Sequence, residues 1–75
     1  MPDEPDLQHG ASSEWVTYLQ QLLNHYYRQQ VVVETGYYDD TTGEAVRHFR
    51  EQNGLPESTA MDAECWTVLL EVAAS

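Results

Sequence analysis

A single cysteine, Cys65, in a chain of 75 residues removes the staples on which domains of this size often depend. One thiol can form neither an intramolecular disulfide nor a cysteine-rich zinc framework. A chain this short builds one hydrophobic core and has nothing left for a second. Its stability must therefore come from packing and capping. The material is present: hydrophobic residues make up 41%, and two Trp, five Tyr and one Phe supply bulk. No run approaches the roughly 18 apolar residues of a membrane span. The start, Met1-Pro2-Asp3-Glu4-Pro5-Asp6, lacks the basic and apolar regions of a signal peptide.

Residues 1–11 hold two prolines, three acids, Gly10 and one isolated Leu7, a composition that predicts an unordered tail or linker ahead of a domain over 12–75. From Ser12 the pattern turns helical. Trp15, Leu19, Leu22, Leu23 and Tyr26 recur at helical spacing, flanked by Val16 and Tyr27, with Gln20, Gln21 and Asn24 on the other side. Ser12 or Ser13 is the expected N-cap. The β-branched triplet Val31-Val32-Val33 suits a short strand or a buried extended loop.

A second helix is expected after Asp39-Asp40-Thr41-Thr42, with Asp39 as cap or Thr41 and Glu44 as a capping box. Its apolar face is Ala45, Val46 and Phe49, and Asn53-Gly54-Leu55-Pro56 is a strong stop. A third helix follows Asp62, with Met61 and Trp66 in hydrophobic-staple positions and Trp66, Leu69, Leu70 and Ala73 facing inward. Three such faces make one small α core around Trp15, Leu19, Leu23, Phe49, Trp66 and Leu69.

The ordered set Leu19-Gln20 with Leu23, Gly36-Tyr37-Tyr38-Asp39 with Thr42, Ala45-Val46 with Phe49, Asn53-Gly54-Leu55-Pro56, and Asp62 with Trp66 and Leu69 resembles the peptidoglycan-binding domain family. This is a three-helix module found beside bacterial cell-wall hydrolases. The resemblance covers Ser12 to Leu70. It implies an all-α fold, a small orthogonal three-helix bundle with an extended segment between the first two helices. It also implies a non-catalytic module that engages peptidoglycan through the stem peptide and targets a linked or partner effector, such as a wall hydrolase, to the wall. Two positions depart from the family pattern: Ser58-Thr59 stands where Thr-Gly is usual, and Cys65 where a Thr is usual.

For a wall peptide, Tyr37, Tyr38, Asp39 and Asp40 form a candidate binding surface, since Tyr gives rigid contact area and carboxylates pair with the amine of a diamino acid. Tyr27, with Tyr26, extends it. Arg47 and Arg50 could hold stem-peptide carboxylates, or pair internally with Glu44 or Glu51. The plainer reading of the cluster is that one Tyr packs on the core while the acids cap a helix. No catalytic set, cofactor site or metal site is expected. A His25, His48 and Cys65 site would need the fold to gather residues that no motif spacing links.

Charge narrows the partners. Thirteen Asp and Glu against three Arg give a formal −10, which argues against nucleic acid and anionic membranes. Leaving out Asp3, Glu4 and Asp6, the remainder still carries −7. Teichoic-acid phosphates would be repelled, so the peptide and its amines are the expected wall targets. The rival expectation is a protein-interaction or regulatory domain that reuses the scaffold for a basic partner. Export of a parent protein would place the module at the wall; without export it is cytoplasmic.

Overall fold

The boundaries of the structure follow from side chains that satisfy backbone groups at helix ends. The computed structural model describes residues 4–73. It contains α1 (Glu14–Tyr27), α2 (Asp40–Gln52) and α3 (Ala63–Ala73), with no strand among the described residues. Of the two starts open for α2, Asp39 is the cap, its carboxylate accepting from the Thr42 amide at 2.9 Å. Asp62 does the same for α3 through the Cys65 amide at 2.9 Å. Ser13 precedes α1 without a side-chain capping bond, so the expected hydroxyl cap there is absent.

Two helices end in the same hydrogen-bond pattern. After α2, the Leu55 amide donates to the Arg50 carbonyl at 2.8 Å and Gly54, at φ 72°, is the left-handed residue between them. After α1, Gln29 donates to the Asn24 carbonyl at 3.2 Å, and the left-handed position is filled by Arg28 at φ 56°. Among the described residues, Arg28 is the one non-glycine with positive φ. Thr59, which replaces a family glycine, therefore needs no glycine conformation.

Helix α1 packs against both α2 and α3. Val16, Leu19 and Leu23 meet Val46 and Phe49 of α2 and Cys65, Trp66 and Leu69 of α3, all buried. Each such large side chain contributes about 1.5–3 kcal/mol through its removal from water. Leu19, Leu23, Phe49, Trp66 and Leu69 occupy the core as expected. Trp15 is only half-buried and lies edge-on to Trp66, ring centroids 6.0 Å apart. The core is completed from outside the helices by Leu7, Val32, Tyr38 and Met61.

The segment between α1 and α2 is an extended loop, not a strand. Asn24 holds its first part: its Oδ1 accepts from the Val31 and Val32 amides at 2.8 and 3.0 Å, and its Nδ2 donates to the Val32 carbonyl at 2.9 Å. Gln20 holds the second part. Its place on the polar side of the α1 pattern predicts exposure, but it is fully buried. Its Nε2 donates to the Tyr37 carbonyl and to Thr42 Oγ1, both at 3.0 Å, while its Oε1 accepts from the Gly36 amide at 3.0 Å. A buried amide is tolerated because both of its ends are paired. Gly36 is required here: its φ is 79°, and a Cβ would lie 2.9 Å from Thr17 Oγ1.

The expectation of an unordered tail is corrected for residues 4–11. Leu7 is buried and exchanges backbone hydrogen bonds with Met61 at 3.0 and 2.8 Å. The Pro5 carbonyl accepts from the Trp66 indole at 2.8 Å, and Gly10 and Ala11 bond to the Tyr38 backbone. One apolar side chain suffices because the backbone around it is paired as well. Residues 1–3 of that segment, and residues 74–75 at the end of the domain expected over 12–75, lie outside the described residues.

Candidate functional site

Helix α2 turns Val46, Phe49 and Arg50 inward, which leaves another face of the helix for the surface. Thr41, Glu44, Ala45, His48 and Gln52 lie three and four residues apart along that face. Opposite them stand Tyr27 at the end of α1 and Gln29 and Val31 of the following loop. Together these residues line an open groove of about 400 Å³. The Tyr27 hydroxyl donates to Gln52 Oε1 at 2.9 Å across it. Tyr27, Val31 and Ala45 give the groove an apolar base, and the amide, hydroxyl, imidazole and carboxylate groups around it can bond an extended peptide.

Glu44 carries the negative charge of the groove. Arg47 donates to Glu44 Oε1 at 2.7 Å, and that hydrogen bond, with the attraction of the guanidinium, holds the Glu44 carboxyl below its ordinary range. The pairing raises Arg47 in turn. Glu44 also borders a smaller recess formed by His9, Asp40, Gly43 and Thr59. There His9 Nε2 lies 3.0 Å from Asp40 Oδ1, and the His9 ring sits edge-on to Tyr37 at 6.4 Å.

The expected cluster is thus divided. Tyr27 lines the groove, and Arg47 reaches it through Glu44. Asp40 lies in the neighbouring recess, and Tyr37 is 45% exposed beside it. Asp39 is occupied as the α2 cap, its carboxyl held below the ordinary range mainly by the Thr42 amide. Tyr38 is corrected: it is fully buried, its hydroxyl donates to the Thr59 carbonyl, and it cannot touch a ligand. Periodicity explains the split, because adjacent residues just before a helix point to different sides. Tyr26, the neighbour of Tyr27, packs edge-on to Phe49 at 5.1 Å.

Arg50 is also corrected. It is 3% exposed and donates to the carbonyls of Pro56 and Ala60 at 2.8 and 3.1 Å and to Asp62 Oδ1 at 3.4 Å. It fastens the loop between α2 and α3 and is closed to stem-peptide carboxylates. Cys65 is buried, its thiol 3.4 Å from Met61 Sδ, and burial pushes its pKa up to about 11. Among the described residues no group of His, Cys, Asp and Glu is arranged to hold a metal ion.

As a binding face, Thr41, Glu44, His48 and Gln52 are not among the sequence expectations, which give Thr41 and Glu44 a capping role and Glu44 an arginine partner, although their spacing marks one helix face. The members of that stripe are individually ordinary helix residues, and only their shared face on α2 marks them.

A family described as "Putative peptidoglycan binding domain" matches residues 12–69. The crystal structure of the SleB N-terminal domain superposes with a TM-score of 0.84 at 28% identity, covering 97% of this chain and 99% of that one. No curated protein matches the chain.

Proposed function

The chain belongs to the peptidoglycan-binding domain family, and from that premise we propose that it is a non-catalytic module whose groove between Tyr27 and α2 takes a peptidoglycan stem peptide. The observation that carries this reading is the groove itself. It has an apolar base, uncharged hydrogen-bonding groups along both sides, and one carboxylate, Glu44, placed to accept the amine of a diamino acid. The ligand is peptide rather than anionic polymer, because the formal charge of −10 repels phosphate chains. By holding the wall, the module concentrates a linked or partner effector there.

Cosedimentation with purified insoluble peptidoglycan tests this. The unaltered chain is expected in the pellet. Glu44→Gln should weaken binding about two- to fivefold, the value of an exposed ion pair, and Tyr27→Ala about fivefold or more, as for an aromatic contact at a binding surface. An unaltered chain that stays in the supernatant contradicts the proposal.

A further inference from the structure

The other end of α1 carries a second cleft that the wall reading leaves unused. Glu4, Ser13, Glu14, Trp15 and Tyr18 line it, with a volume of about 600 Å³. It shares no residue with the groove at Tyr27, and twelve residues of helix, about 18 Å, separate Trp15 from Tyr27. Its wall is aromatic. The Tyr18 ring stacks on buried Trp66 at 6.0 Å and 15°, and Trp15 sits edge-on to both at 6.0 Å.

The polar groups of this cleft are uncommitted, whereas the carboxylates at the starts of α2 and α3 and in the groove are already paired. Asp39 and Asp62 cap helices, Asp40 meets His9, and Glu44 meets Arg47. Neither Glu4 nor Glu14 is hydrogen-bonded or ion-paired to any described residue, and the same holds for the Trp15 indole N–H and the Tyr18 hydroxyl. Trp66, by contrast, has its indole N–H on Pro5. Two carboxylates beside two π faces, with no Arg or His lining the cleft, form an electron-rich pocket. Its complement is an alkylammonium or guanidinium group on an apolar stem.

We propose that this cleft docks a basic segment of a protein partner, with a lysine or arginine side chain laid against Trp15 and Tyr18 and its charge on Glu4 and Glu14. The formal −10 of the chain accelerates encounter with such a partner. Because the cleft and the groove are separate, a partner can be held while the groove is occupied. Docking at this cleft does not require the groove to bind the wall.

The test is a chemical-shift titration of the full chain at about 0.15 M salt, where exposed charges are screened beyond about 8 Å. The probes are the tripeptide acetyl-Gly-Lys-Gly-amide and its Nε-acetylated counterpart. The lysine peptide is expected to move the Trp15 indole resonance and the amides of Glu14, Trp15 and Tyr18, while the acetylated one leaves them in place. Glu14→Gln should weaken the response about threefold. Tyr18→Ala should weaken it further, and Tyr18→Phe, which keeps the ring, should restore it. Equal response to the acetylated peptide, or shifts spread over the whole acidic surface, would overturn the proposal. So would a response of these residues to an N-acetylglucosamine tetramer without one to the lysine peptide.

Discussion

Arg28, Gln20 and Arg50 show how single residues decide the course of this chain. Arg28 holds φ 56° at the end of α1, a conformation that costs a side-chain-bearing residue roughly 1–2 kcal/mol and glycine little. Its replacement by glycine is therefore expected to stabilise the domain by about 1 kcal/mol, less the added freedom of glycine in the unfolded chain. Urea unfolding of Arg28→Gly checks this, with Arg28→Ala as a control that keeps the strain. Gln20 and Arg50 are polar residues buried because loop backbone needs partners: Gly36 and Tyr37 in one case, Pro56 and Ala60 in the other. Neither role was legible in the sequence, where glutamine and arginine in helices read as solvated faces. The signal lies in the loops, whose carbonyls and amides have no regular structure to satisfy them.

At the scale of elements, helix starts and stops were legible where side chains mark them. Asp39 and Asp62 cap, and Asn53-Gly54 stops, because those residue types have the required acceptors or backbone freedom. The end of α1 was not legible, since Arg28 carries no such mark. The candidate site followed the same division. Tyr27, expected at the surface from its position at the end of a helix, lines the groove, whereas Tyr38 belongs to the core and the α2 face from Thr41 to Gln52 carries no single residue that marks it.

Asp39 and Asp62 both have carboxyl groups held below the ordinary range, chiefly by the Thr42 and Cys65 amides respectively. A depressed folded-state pKa means that their stabilisation is present above the unfolded value of 3.8 and is lost as pH falls through the lower folded value. Stability should thus decline in acid below about pH 4. Asn caps nearly as well as Asp, so the double variant Asp39→Asn and Asp62→Asn should keep the helices while flattening that decline. Thermal unfolding followed from pH 7 to pH 2.5 reads the difference.

For the whole molecule, the segment before α1 is part of the fold. Leu7 buries its side chain against the core, and Pro5, Leu7 and Gly10 bond to Trp66, Met61 and Tyr38. Deleting residues 1–10 is expected to cost about 2–4 kcal/mol, from one leucine returned to water and several hydrogen bonds lost. A shift in the urea midpoint measures it; an unchanged midpoint would show that the segment adds nothing. Such a small core has little margin to lose, which fits its reliance on paired loops and capped ends in place of a disulfide. The packed scaffold presents the α2 groove as a surface formed by two elements and a loop, and on that surface the functional account rests. Its most direct test is a chemical-shift titration of the full chain with soluble muropeptides. Shifts are expected to centre on Tyr27, Glu44, Ala45, His48 and Gln52; no shifts, or shifts confined to Tyr37 and Asp40, would contradict binding in the groove.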